Sequence, residues 1–150
     1  MTNAQWIASG GGIGHFPFAP GTAASLAALP IGVLALWLDP RLLPLLAIAS
    51  CIIGTWAVHE TKALDDPGWI VIDEFAGQWI AMLGLGHVSL YGVIAAFVLF
   101  RFFDITKLGP VGWADREDGA IGVMADDVVA GLVVAAILFV ATNFVPYLNR

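Results

Sequence analysis

The run Gly68-Trp-Ile-Val-Ile-Asp73-Glu74-Phe-Ala-Gly-Gln-Trp-Ile-Ala-Met-Leu-Gly-Leu-Gly86 is apolar over a length that suits a bilayer, yet it carries two adjacent carboxylates one turn inside its start. An acidic residue at the centre of a spanning helix costs about 2.5–3.5 kcal/mol on insertion scales. A chain that keeps such a pair needs a cation to meet it. The rest of the sequence is read for that cation, and for the groups that would share it.

Composition fixes the solvent. Of 150 residues, 59% are hydrophobic and 12% charged, with a mean hydropathy of +0.87. A soluble domain carries about 25% charged residues, so the chain reads as an integral membrane protein of one domain over residues 1–150. The start Met1-Thr-Asn-Ala-Gln-Trp6 lacks the basic region of a signal peptide. Cys51, the single cysteine, lies in an apolar run and reads as a buried, inert thiol. The net charge of −6 comes from clustered acids, and no basic stripe suggests nucleic acid.

The expected fold is all-α: a polytopic membrane bundle of about five spanning or half-spanning helices behind a Gly-rich amino-terminal loop. Residues 1–21 form that loop, with room for a short interfacial helix around Trp6. Spanning candidates follow at 22–38, with Pro30 as a kink, then at 42–58, 69–85, 89–103 and 125–145. If the amino-terminal loop is cytoplasmic, the cytoplasmic loops and helix ends hold Lys62, Arg101, Lys107 and Arg116, against Arg41 and Arg150 opposite. The positive-inside tendency supports that orientation. The same topology puts every acid except Asp39 on the cytoplasmic side, and Trp6, Trp37, Trp56, Trp69 and Trp113 near the interfaces.

Spacing then selects site residues. Asp73, Gly77, Ala81 and Gly84 share one helix face, and Asp127, Gly131 and Ala135 share another. Small residues let helices approach closely, so both acids turn into the bundle, with Glu74 and Asp126 as their neighbours. A single acid at a helix start would read as a cap. Two pairs at corresponding ends of two helices read as a built site. Asp104 closes the fourth candidate between Arg101 and Lys107, where an acid opposes the helix dipole and either pairs locally or joins the cage. Clustered hard oxygen ligands suit Mg²⁺ better than Zn²⁺. His15, His59 and His87 are scattered across different loops without ligand spacing; His87 falls on the far side, and His15 is the one histidine placed to be considered for catalysis. Pro20-Gly21-Thr22-Ala-Ala-Ser25 offers Thr22 as an N-cap and reads either as a plain helix start or as an anion site.

The ordered set Pro20-Gly21-Thr22…Ser25-Leu26, Asp73-Glu74-Phe75-x-Gly77, Phe100-Arg101-Phe-x-Asp104-x-x-Lys107-x-x-Pro110 and Asp126-Asp127-Val-x-Ala130-Gly131 resembles the phosphatidylglycerophosphatase A family, over residues 8–139. One departure is local: the run here is Thr106-Lys107-Leu108, where the family usually has Trp-Lys-Pro. The resemblance implies a Mg²⁺-dependent, multi-pass phosphatase of the bacterial inner membrane, with its active site facing the cytoplasm. Its substrate would be the lipid phosphatidylglycerophosphate, and its product phosphatidylglycerol. On this reading Asp73, Asp104 and Asp127 bind metal. Glu74 or Asp126 completes the shell or orients water, and Gly21, Thr22, Ser25, Arg101 and Lys107 hold phosphate. Protein partners are unspecified. The rival functions are a small ion or proton transporter, whose buried carboxylates act as relays, and a non-catalytic membrane scaffold.

Overall fold

A computed structural model describes residues 1–145 and 148. Among these the chain is helical with no strand. Helix α1 (Asn3–Ala8) opens on a capping box: Gln5 N–H donates to the Thr2 hydroxyl, and Thr2 N–H donates to the Gln5 side chain. The following turn runs through Gly10, Gly11 and Gly12, all at positive φ. At Gly10 a Cβ would also meet the Phe75 ring at 2.7 Å, so the loop lies directly on the centre of the bundle. Helix α1 itself is joined to that centre by the Val71 N–H, which donates to the Ala8 carbonyl at 2.9 Å.

Helix α2 (Pro20–Leu38) begins two residues before the expected start. Pro20 takes the first helical position, where its fixed φ is already helical and its missing N–H leaves no bond unmade. Thr22 is therefore not the N-cap. That place belongs to Ala19, in a left-handed conformation with no side-chain cap. The helix runs on through Pro30. Helix α3 (Leu42–Thr61) is three residues longer than expected and stops at Lys62, at φ +55.

The third candidate is the largest departure. Instead of a span over 69–85, helix α4 (Ile72–Met82) has 11 residues, which at 1.5 Å each cover ~16 Å, about half of a hydrocarbon core. Apart from Ile72 and Glu74, all of its residues are buried. It packs against α2, α3, helix α5 (Leu90–Thr106) and, most extensively, helix α7 (Gly119–Phe144). Because it is enclosed, its apolar composition reflects a protein core and not lipid. A short helix, α6 (Pro110–Ala114), lies between α5 and α7. Helices α2, α3 and α7 are each long and apolar enough to cross a membrane. Their outer faces expose Leu34, Trp37, Leu45, Ile52, Leu132 and Phe139, an apolar surface that a bilayer would cover. Arg150, assigned by the sequence to the far side, lies outside the described residues.

Glycines set the close contacts. A Cβ on Gly77 would meet the Phe100 ring at 2.5 Å and the Asp127 carbonyl at 2.7 Å, and one on Gly131 would meet the Gly77 carbonyl at 2.5 Å. The two small-residue faces read from the sequence thus pack on each other. A third lies on α2, where Ala24, Ala28, Gly32 and Ala35 are buried and the Ala28 carbonyl accepts from the Trp79 indole N–H at 2.9 Å.

Candidate active site

Three helices bring charged residues to one cavity of about 370 Å³, and the start of a fourth borders it. Helix α4 supplies Asp73 and Glu74 from its first turn. Helix α5 supplies Arg101 and Asp104 from its last turns, with Lys107 as its C-cap at φ +51. Helix α7 supplies Asp126 and Asp127, and the start of α2 contributes Ala19, Pro20 and Gly21. The acids on α7 differ from expectation in one respect. Because α7 begins at Gly119 and not near residue 125, they lie two turns inside it, about 10 Å along the axis. Capping a helix start therefore cannot account for them.

The acids fall into two groups, and Asp127 belongs to both. Asp73, Glu74 and Asp127 each offer a carboxylate oxygen within 4.8 Å of the others, and so do Asp104, Asp126 and Asp127. Asp73, Asp104, Asp126 and Asp127 are all buried. The Asp73 carboxylate accepts from the Glu74 N–H at 3.1 Å. Arg101 Nη1 is hydrogen-bonded to Asp104 and lies 4.0 Å from Glu74 Oε1. Lys107 Nζ donates to Asp104 Oδ1 at 3.2 Å and to Asp126, and lies 3.7 Å from Asp115. These cations explain why an acid is kept at the carboxyl end of α5, where the dipole disfavours it. Burial lowers the proton affinity of Lys107, but its bond to Asp126 and the charges of Asp126, Asp104 and Asp127 more than reverse this, so its pKa lies above the ordinary lysine value.

Six acids line the cavity against two cations. Two of their buried oxygens, Glu74 Oε2 and Asp127 Oδ2, have no hydrogen-bond partner among the described residues. Buried polar atoms are rarely left so. A hard divalent cation would satisfy both and offset the repulsion between the acids, so this donor set fits Mg²⁺ by its chemistry.

Not every residue selected from the sequence reaches the cavity. Gly21 lines it so closely that a Cβ would collide with the Glu74 carboxylate. Thr22 and Ser25 do not line it, and the Ser25 hydroxyl is buried and donates to the Gly21 carbonyl at 3.0 Å. Ser25 thus supports the turn that carries Gly21. His15 stacks on Trp69 with ring centroids 5.9 Å apart and is absent from the lining, as are His59 and His87. The lining also includes Ala19, Asp66, Gly68, Ile70 and Ile105, none of which the sequence singled out as a site residue. Asp65-Asp66-Pro67-Gly68 reads as an ordinary turn, and only the fold brings it over the acids. Partial burial of the Asp66 carboxyl at the rim, reinforced by Asp126 and opposed by Lys107, pushes its pKa up to about 6.

The sequence model of the family described as Phosphatidylglycerophosphatase A matches residues 6–142. The chain belongs to the phosphatidylglycerophosphatase A family. Phosphatidylglycerophosphatase A of Escherichia coli is 40% identical over 137 residues, covering 89% of this chain and 80% of that protein. A Bacteroides thetaiotaomicron protein named "Putative phosphatidylinositol-3-phosphatase" is 39% identical over 137 residues, covering 84% of this chain and 85% of its own. Phosphatidylglycerophosphatase A of Haemophilus influenzae is 37% identical over 138 residues, covering 89% and 85%. No solved structure matches this chain. As a phosphatidylglycerophosphatase A family member it is a phosphatase, a phosphoric monoester hydrolase, built on apolar helices of membrane length. All four motifs behind the resemblance contribute at least one residue to the cavity.

Proposed function

We propose that this chain is a Mg²⁺-dependent lipid phosphatase that hydrolyses the terminal phosphomonoester of phosphatidylglycerophosphate to phosphatidylglycerol at the cytoplasmic face of a bacterial inner membrane. The observation that carries the proposal is the pair of carboxylate groups sharing Asp127, with Arg101 and Lys107 beside them, at the mouth of a bundle of membrane-length helices. A lipid phosphate lies at the interface while its acyl chains stay in the bilayer, so an enzyme acting on it gains from being embedded. A transporter would more often keep its acids on broken helices at mid-depth, between repeats. Here they stand at the start of α4, near the end of α5 and two turns inside α7, beside basic side chains, an arrangement suited to a phosphate dianion.

Asp73, Asp104 and Asp127 hold the metal in this reading. Bound Mg²⁺ supplies positive charge to the phosphoryl oxygens as negative charge gathers on them. Arg101 and Lys107 add fixed cations, Arg101 presenting two N–H groups to a tetrahedral oxyanion. The backbone at Gly21, close to the start of α2, adds the positive end of a helix dipole. In hydrolysis a water oxygen bonds to phosphorus as the P–O bond to glycerol breaks. Glu74 or Asp126 orients that water and takes its proton, and the departing glycerol oxygen receives one in exchange.

The test is Asp73→Asn, assayed for phosphate release from phosphatidylglycerophosphate in excess Mg²⁺. Release at least about 100-fold below the parent is expected, the upper part of the range for disturbing even a supporting residue of a metal site. Release near that of the parent would remove Asp73 from the mechanism. Phosphatidylinositol 3-phosphate offered in the same assay separates the two lipid headgroups, and faster release from the inositol lipid would contradict the proposed substrate.

A further inference from the structure

The two carboxylate groups are chemically alike but not equally compensated. In the group Asp104, Asp126 and Asp127, the Lys107 ammonium already donates to two of the three acids. In the group Asp73, Glu74 and Asp127, no described cation is hydrogen-bonded: Arg101 comes no nearer than 4.0 Å to Glu74 Oε1. Of the two partnerless carboxylate oxygens, Glu74 Oε2 belongs to this second group alone and Asp127 Oδ2 to the acid the groups share, which is 2% exposed.

We infer that Lys107 acts as a built-in second cation: its ammonium fills the Asp104–Asp126–Asp127 group and limits the site to one divalent ion, held by Asp73, Glu74 and Asp127. This rests on the metal-dependent reading above and revises its ligand set: Glu74 takes the place of Asp104, whose carboxylate holds Arg101 and Lys107 instead. Many phosphate-transfer sites place two metal ions roughly 4 Å apart, one on each side of the displacement. Here two carboxylate groups sharing one acid provide the ligands for such a pair, but an ammonium already occupies one of the places.

The lysine is held there by its surroundings. Its backbone is in the left-handed region at φ +51, ending α5, and its N–H donates to the Phe103 carbonyl at 2.9 Å. Helix α6 closes over its carbonyl so tightly that a Cβ on Gly112 would meet that oxygen at 2.5 Å. Asp115, just past α6, lies 3.7 Å from the ammonium. A divalent ion entering the same group would have to displace the ammonium from Asp104 and Asp126 or lie against it as a like charge, and either course disfavours binding. The arrangement gives the site one exchangeable metal and one fixed positive charge. Lys107 is thereby a positioning residue for metal as well as a cation near phosphate.

The test uses Mn²⁺ alone as the probe, with the full chain purified in detergent. Binding stoichiometry is read by calorimetry and the magnetic state of the bound ions by electron paramagnetic resonance. The parent is expected to bind one Mn²⁺ per chain with an isolated-ion spectrum. Lys107→Met is expected to bind two, with the spectrum of a spin-coupled pair, and Lys107→Arg, which keeps the charge, to remain at one. Lys107→Gln takes the place of Lys107→Met if the latter does not fold. The double variant Lys107→Met with Asp126→Asn, which removes a ligand from the freed group, is expected to return to one. Two ions in the parent, or one in a folded uncharged variant, would overturn the inference while leaving metal dependence intact. No bound ion in the parent would overturn the metal-dependent reading and this inference with it.

Discussion

Asp127 is the residue on which both carboxylate groups depend. It is buried, shared between the groups, and keeps one oxygen without a partner. Function and stability should therefore pull in opposite directions there, as they commonly do at functional sites. Removing its charge relieves repulsion from Asp73, Glu74, Asp104 and Asp126 but takes a ligand from every ion the site could hold. In chelator, Asp127→Asn is expected to melt above the parent. In Mg²⁺ the order should reverse, because an ion that binds only the folded state stabilises it by about 2.7 kcal/mol at 100 times its dissociation constant. Thermal melts of both proteins in both conditions check this. A parent whose melting temperature ignores Mg²⁺ would contradict it. Asp104 differs: held by Arg101 and Lys107, it serves to place two cations.

At the scale of elements, the site depends on the contact between α4 and α7. Gly77 and Gly131 bring the two backbones together, and Asp127 lies one turn before Gly131. Gly77→Ala would push a methyl group against the Phe100 ring and the Asp127 carbonyl, and overpacking of this kind costs about 1–3 kcal/mol. The expected outcome is a lowered melting temperature together with a loss of phosphate release larger than the fraction unfolded explains, because the shift moves Asp127 relative to Asp73. Melts and assays on the same preparation separate the two effects, and an unchanged rate in a destabilised protein would contradict the argument. This packing was legible in the sequence, since small residues at helical spacing below an acid identify a close face. The length of α4 was not. Residues 69–71 and 83–85 are as apolar as the helix between them, so hydropathy cannot tell a bilayer span from a short helix enclosed by others. The start of α7 was hidden for a similar reason. Gly119 and Gly122 look like loop residues, but Gly122 sits in the helix where a side chain would meet the Glu117 carbonyl.

At the scale of the whole molecule, the fold buries Asp73, Asp104, Asp126 and Asp127 inside and exposes many large apolar side chains outside, the arrangement expected where the surroundings are lipid and the ligand is ionic. The acids, Arg101 and Lys107 could be picked out in advance because charge is scarce in this chain, so each charged residue in an apolar run calls for an explanation. Thr22 and Ser25 could not be judged that way. Hydroxyls cost little to bury when they bond backbone, as Ser25 does, and their presence near a helix start does not say which way they point. Asp66 was missed because a turn of Asp, Pro and Gly carries its own sufficient explanation. What must hold is that a divalent cation, gathered by the buried acids of the bundle, acts on a lipid phosphate. The most direct test is phosphate release from phosphatidylglycerophosphate by the full chain in phospholipid micelles, first stripped of divalent ions by chelator and then resupplied with Mg²⁺. Release should fall at least about 100-fold, a loss of ~2.7 kcal/mol of transition-state stabilisation, and return with Mg²⁺. Undiminished release in chelator would contradict it.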